Sequence, residues 1–352
     1  PPEGHNLRLA ALASTFEQLA SAGLNDFYSG DIANSIAREL GAAGSPLLIE
    51  DLSRHKALTV EPLSINLKSG TVYTMPPPTQ GLASAMILGL YERLSVSKAD
   101  SFEFVHAIVE ASKRAFRVRD KYVSDPTYMT IDPAQFLTVE TLDKVAAEID
   151  AKTALPWPEI SQSGDTVWLG TMDSEGCSVS LIQSIYWEFG SGVVLPETGI
   201  VWQNRGVSFS LEPSNLNLLM PGRRPFHTIH PAMATLADGR HMVYGTMGGE
   251  GQPQTQAAIF TRHVDFGQNL ADAIAAPRWL LGRTWGEETA KLRIENRFNP
   301  TVIEALRYAG HDIEIVGDFD EMMGHAGAIT RQVDGSINGA SDPRCDGAAI
   351  AG

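Results

Sequence analysis

In the first part of the chain, apolar positions recur at helical spacing. Leu9, Leu12, Ala13, Phe16, Leu19 and Ala20 predict one helix, with Gly23 placed as its C-terminal cap. Asp31 is the predicted cap of a second helix, through Ile32, Ile36 and Leu40 to a stop at Gly41. A third covers residues 81–94. A fourth begins at Asp100 or Ser101 and gathers Phe104, Val105, Ile108, Val109 and Phe116 on one side, and a fifth opens at Thr138 and runs through Leu142, Val145 and Ile149. Residues 58–73 read as extended, and Pro76, Pro77 and Pro78 require a helix-free turn.

The pattern changes across residues 153–164. Pro156 and Pro158 flank Trp157, and a polar run follows, which predicts an exposed, easily cut linker. Beyond it the period shortens to two. Residues 166–173 and 177–186 predict a hairpin turning at Asp173, Ser174, Glu175 and Gly176. Further strands are expected over 198–203, 241–246, 313–316 and 328–333, and helices over 255–266, 270–276 and 300–309. The predicted class is a layered α/β domain with helices packed over sheets.

Composition narrows the function classes. The 352 residues are 43% hydrophobic and 20% charged, the mix of a globular protein, and no apolar run is long enough to span a bilayer. A net charge of −15 leaves no dense basic face for nucleic acid. Cys177 and Cys345 have neither metal-ligand nor redox spacing. They read as free thiols and fit a reducing compartment, so the cytoplasm is the expected location. The chain opens at Pro1 without a methionine, which predicts a processed or truncated start.

Three features carry candidate chemistry. In Ser163-Gly164-Asp165-Thr166, cutting the Asp165–Thr166 bond gives Thr166 a free α-amine beside its own hydroxyl. That amine titrates near pH ~8, so one residue supplies both nucleophile and base. Read locally, it is more often a plain strand threonine. The run Gly245-Thr246-Met247-Gly248-Gly249-Glu250-Gly251 can aim successive backbone N–H groups at an oxyanion. It can equally be a tight turn, but it lacks the Lys-Ser/Thr ending of a phosphate loop. His227 and His230, with His241 nearby, invite a zinc reading, but no Cys, Asp or Glu completes a ligand set at recognisable spacing.

Several segments, in order along nearly the whole chain, resemble the γ-glutamyltranspeptidase family. They include Phe27-Tyr28-Ser29-Gly30-Asp31-Ile32-Ala33, Tyr73-Thr74-Met75-Pro76-Pro77-Pro78, Thr166 with Asp173 and Gly176, and Phe189-Gly190-Ser191-Gly192. Met247-Gly248-Gly249, Ala276-Pro277-Arg278 and Ser341-Asp342-Pro343-Arg344 continue the match. The resemblance implies a four-layer αββα sandwich of the N-terminal-nucleophile type, made by self-cleavage before Thr166. It implies that 1–165 belong to a large chain and 166–352 to a small chain, both in one αββα domain. It makes Thr166 the nucleophile, Ser184 a hydroxyl touching it, and Gly248 and Gly249 the oxyanion pair. No metal or organic cofactor is required. A further portion ahead of Pro1, with a carboxylate-binding arginine, is implied as well.

At the positions where transferring members hold the γ-glutamyl head, this sequence has Tyr186, Arg205, Ser208, His227 and Thr228. The carboxylate that would pair with a substrate ammonium is replaced by a guanidinium. This predicts a small acid without an amine as substrate. The segments around Tyr186, Arg205 and Arg278-Trp279-Leu280-Leu281-Gly282-Arg283-Thr284-Trp285 are most similar to the hydrolytic branch of oxamate amidohydrolases and glutaryl-type cephalosporin acylases. Expected partners are the small amide substrate and the two chains of one precursor, assembled as a homodimer or heterotetramer. A γ-glutamyltransferase and a processing-dead scaffold protein are the competing readings.

Overall fold

The computed structural model describes residues 4–159, 164–282, 284 and 289–352, and for Asp165 the backbone alone. Residues 160–163 of the expected linker, and Arg283 and Trp285, lie outside the described residues. The chain divides into two compact units, Pro1–Val60 with Trp187–Asn204, and Glu61–Tyr186 with Arg205–Gly352.

The smaller unit holds α1 (Ala10–Ala22), α2 (Asp26–Ser29), α3 (Asp31–Ala42) and α4 (Ile49–Arg54). Ile32, Ala33, Ile36, Leu40, Leu52 and Leu195 form its core. Helix α1 stops at Gly23 as expected, but its buried face centres on Thr15, whose hydroxyl donates to the Thr198 carbonyl at 2.8 Å, while Phe16 is exposed. The α3 cap is also corrected. Asp31 is the first helical residue, and the Asp26 carboxylate accepts from the N–H groups of Asp31 (3.0 Å) and Ile32 (3.3 Å). The strand expected over 198–203 reduces to one isolated bridge, Val194 with Val201, flanked by Leu195–Ile200 and Trp202–Val193 backbone bonds, and the Glu39 carboxylate accepts the Glu197 N–H (2.6 Å) in the turn between.

The larger unit begins with β1 (Leu63–Leu67) and β2 (Gly70–Thr74), so the extended segment is a hairpin. Helices α5 (Gly81–Tyr91), α6 (Phe102–Tyr122) and α7 (Val139–Ala146) follow. Ser101 caps α6 and Thr138 caps α7, each accepting a backbone N–H, while Asp100 takes a left-handed backbone and pairs with Arg262. Then come β3 (Asp165–Met172), β4 (Ser178–Tyr186), β5 (Ala232–Leu236), β6 (His241–Thr246), α8 (Gln252–Phe260) and α9 (Leu270–Ala275). The chain closes with β7 (Trp279–Leu281), β8 (Leu292–Glu295), α10 (Pro300–Tyr308), β9 (Ile313–Val316), β10 (Ala326–Arg331) and β11 (Ile337–Ser341).

An antiparallel sheet of order β1-β2-β5-β6-β10-β11 forms the centre. On one face Met242, Tyr244, Ala326 and Ala328 join a core with α5, α6 and α8. On the other lies the β3–β4 hairpin, and the seam between these layers is built on Trp168. A Cβ on Gly245 would sit 2.1 Å from its ring, and one on Gly327 would sit 2.3 Å away. Both strands carry glycine there because the indole occupies the space of two side chains.

The segment 153–159 is not a free linker up to Trp157. Ala154 donates to the Ala309 carbonyl at 2.7 Å, the Leu155 N–H reaches the Glu110 carboxylate, and Trp157 packs near Phe116. Among the described residues no helix is long and apolar enough to cross a membrane.

Candidate active site

Thr166 sits at a local irregularity of the hairpin. Asp165 pairs with Tyr186 and Val167 with Gln183, so Thr166 alone faces both Ser184 and Ile185. Such a bulge interrupts the ladder and re-aims a side chain. The Thr166 hydroxyl donates to Ser184 Oγ at 3.1 Å, and Ser184 Oγ also accepts the Tyr186 N–H at 2.9 Å. Tyr186 is a buried, non-glycine residue at φ 81, a conformation that costs energy and points to an imposed geometry.

The Tyr186 ring lies beneath the Arg205 guanidinium, 3.4 Å from the ring centroid, and Arg205 hydrogen-bonds the Ser208 hydroxyl. Burial pulls the Arg205 pKa down, against the attraction of Tyr186 and Glu250. The His227 ring is pushed down to about 4 by burial and by the nearby charges of Arg205 and Arg224, so it is neutral at pH 7. Its backbone bridges to Pro78 and Gln80 through bonds of 2.8 and 3.0 Å. Thr228 contributes its carbonyl to the same region.

The glycine run connects β6 to α8 through a 3-10 turn over Gly249–Gly251. Gly248 (φ 127) and Gly249 (φ 51) both adopt backbone that only glycine enters readily. Gly248 lies beside Gly324 and Thr284, whereas Gly249 lies against Gly164, two residues before Thr166. The structure therefore brings Thr166, Ser184, Tyr186, Arg205 and Ser208 into one connected set, with Gly249 touching the chain that leads into it.

Two supporting residues, Gln80 and Arg119, escaped the sequence reading, as did the role of Glu250. Gln80 Nε2 donates to the Thr228 carbonyl (2.6 Å) and the Gly249 carbonyl (2.7 Å), which fixes the plane of the Gly249 peptide. Arg119 holds the other end, donating to Gln80 Oε1 at 3.0 Å, and pairs with Glu250 at 3.5 Å. Burial opposes the Arg119 charge, but Glu250 and Asp120 more than offset it and raise its pKa. Gln80 follows directly after the proline turn and Glu250 lies inside the glycine run, so proximity to those motifs was the available signal.

Two other matched segments have structural roles. Arg278 of Ala276-Pro277-Arg278 and Asp342 of Ser341-Asp342-Pro343-Arg344 form a buried ion pair at 2.5 Å, and Arg344 binds Glu295 at 2.7 Å. His227, His230 and His241 form no ligand cluster. Among the described residues, the group with suitable ligand types is His106, Glu110 and His311. There the two imidazoles meet each other at 2.9 Å, and Glu110 is engaged by Lys113 and Arg114, an arrangement of hydrogen bonds and ion pairs.

The family model described as gamma-glutamyltranspeptidase matches residues 1–352. The chain is 52% identical over 349 residues to an oxamate amidohydrolase proenzyme of Klebsiella pneumoniae, covering 99% of this chain and 66% of that protein. It is 40% identical to a glutathione hydrolase-like YwrD proenzyme of Bacillus subtilis, covering 99% of this chain and 67% of the relative. Cephalosporin acylase from Bacillus halodurans superposes with a TM-score of 0.90 at 35% identity, over 100% of this chain and 64% of that one. The αββα class of N-terminal-nucleophile hydrolases expected from the sequence is therefore the class of this fold. The chain spans about two thirds of the length of these relatives.

Proposed function

The chain belongs to the γ-glutamyltranspeptidase family, and on that premise we propose that it is a self-processing amidohydrolase acting on small acid amides such as oxamate. The observation that carries this reading is the Thr166 hydroxyl, placed in a strand bulge and hydrogen-bonded to Ser184 at 3.1 Å. In the precursor, Thr166 Oγ attacks the Asp165 carbonyl carbon. The C–N bond breaks, an ester forms, and the hydroxyl proton ends on the released Thr166 amine. Water then hydrolyses the ester and leaves residues 1–165 and 166–352 as large and small chains of one αββα domain.

In the mature form the Thr166 amine takes the hydroxyl proton as Oγ attacks the substrate amide. Gly248 and Gly249 N–H groups would hold the oxyanion, worth about 3 kcal/mol for such a donor. Ammonia leaves with the proton, and water releases the acid from the acyl-threonine. Arg205 is assigned to the substrate carboxylate, Ser208 and Tyr186 hold that guanidinium, and neutral His227 and Thr228 line the same pocket. A neutral imidazole does not compete with Arg205 for the anion and does not repel it. The cytoplasm is the proposed location, and a homodimer or heterotetramer the proposed assembly.

The likeness to the Bacillus halodurans acylase favours a second substrate within the same mechanism, a glutaryl amide. Ammonia release from oxamate, compared with hydrolysis of a glutaryl anilide and a γ-glutamyl anilide, separates these readings. Preference for the γ-glutamyl substrate would contradict the assignment of Arg205.

A further inference from the structure

Gly164 is buried, and three groups surround it. Its N–H donates to the Thr284 carbonyl at 2.8 Å, and Thr284 is itself anchored through its hydroxyl to the Met322 carbonyl at 2.7 Å. On one side stands the Tyr186 ring: a Cβ on Gly164 would lie 3.0 Å from Cε2 and 3.3 Å from Cδ2. On another side is backbone, since that Cβ would come within 3.5 Å of Gly249 Cα. Looking back from Gly249, an added Cβ would meet Gly164 N at 3.4 Å and its Cα and O at 3.5 Å. Tyr186 cannot swing freely, because it is buried under Arg205 and its own N–H is held by Ser184. Gly249 cannot recede, because Gln80 holds its carbonyl.

We propose that Gly164 is a positioning residue for self-cleavage: two residues before the nucleophile, a Cβ fits the slot between Tyr186 and Gly249 only if the ring gives by a few tenths of an ångström, and this close fit sets where the Asp165 carbonyl stands relative to Thr166. This rests on the reading that the Asp165–Thr166 bond is cut by Thr166. A side chain at 164 has to push against a ring or a glycine backbone, and the chain between that point and Thr166 is one residue long. Any displacement is passed to the carbonyl under attack. A displacement of about 1 Å at a reacting centre costs about 100-fold in rate, so the few tenths of an ångström that a methyl demands give a smaller loss and a branched side chain a larger one. The chemistry affected is the first step, in which the Thr166 Oγ–C bond forms and the C–N bond breaks with transfer of the hydroxyl proton to the amine. Hydrolysis of the resulting ester by water comes later.

The test follows cleavage of the full chain by intact mass for wild type, Gly164→Ala and Gly164→Val, with Thr166→Ala as the uncut reference. Thermal midpoints of Gly164→Val and uncut Thr166→Ala serve as the fold control. We expect Gly164→Ala to cleave more slowly by about 3-fold or more and Gly164→Val by at least about 10-fold, with midpoints alike. Hydroxylamine, which opens esters but not amides, should not restore the rate. The penalty of Gly164→Ala should shrink when measured in a Tyr186→Ala background, where the ring is gone. Wild-type rates in either Gly164 variant, recovery with hydroxylamine, or an equal penalty in both backgrounds would overturn the proposal. A wild-type chain that stays uncut, like Thr166→Ala, would instead overturn the processing reading beneath it.

Discussion

The two β layers of the larger unit contrast in how their faces are covered. The six-stranded sheet is covered on both: helices α5, α6 and α8 lie on one face, and the β3–β4 hairpin lies on the other. Among the described residues the hairpin is covered on one. Its inner face presses Trp168 onto glycine backbone, while Val167, Leu169, Val179 and Leu181 point outward and are 41–52% exposed. The better-covered sheet supplies the glycine run, and the half-covered hairpin supplies Thr166 and Ser184. Thr166 thus sits on a small element whose inner contact among the described residues is the Trp168 seam, whereas Gly248 and Gly249 follow a strand set in a thick core.

Perturbing the seam should have the largest effect. Trp168→Ala removes the partly buried indole that registers the hairpin against β6 and β10, and about 3–5 kcal/mol, the loss for a fully buried aromatic-to-alanine change, is the upper bound on its cost. We expect a correspondingly lower urea midpoint and loss of self-cleavage together. A stable Trp168→Ala protein that still cleaves normally would show that the seam does not position Thr166.

Acid should weaken the covered core by a similar or smaller amount. His230 is fully buried, and burial pushes its pKa down to about 4, with Thr228 opposing through a hydrogen bond. A histidine with a depressed folded pKa binds fewer protons folded than unfolded. Its stabilising effect is therefore complete above the unfolded value of about 6.5 and is lost as pH falls towards 4. The contribution at stake is up to about 3 kcal/mol. Urea midpoints taken between pH 7 and 4 should fall, and should fall less in His230→Asn.

Ser184→Ala sharpens the comparison from the hairpin side. It removes one hydrogen-bond partner of Thr166 and one of the Tyr186 N–H. A loss of about 1.5–3 kcal/mol in the transition state corresponds to roughly 10–100-fold slower cleavage. Unchanged cleavage would remove Ser184 from the machinery. The smallest effect is expected on the outer face, where Leu169→Lys with Leu181→Lys should shift the urea midpoint by no more than about 0.5 kcal/mol while lowering binding of a hydrophobic dye.

Much of this was legible in the sequence, and for identifiable reasons. Helices α3 and α10 carry one buried stripe each, so their periodicity survived into the sequence, as did the alternation of β4. Strands β7 and β8 are buried at every position, so neither alternates, and both were missed. Strand β5 reads Ala-Met-Ala-Thr-Leu, which looks helical by composition. At the site, Thr166, Ser184, Tyr186 and Arg205 were named as candidates and lie together. Gln80 and Arg119 were not, because their roles come from distant backbone: Gln80 meets carbonyls about 150 and 170 residues away. Gly164 looked like linker filler, and only its contacts with Tyr186 and Gly249 distinguish it.

The most direct test of the central claim is intact mass under denaturing conditions for the wild-type chain and Thr166→Ala. The account predicts two wild-type pieces, split between Asp165 and Thr166 and summing to the precursor plus one water, and a single uncut mass for the variant. A wild-type chain that remains whole, or a Thr166→Ala chain that is cut at the same bond, would contradict it.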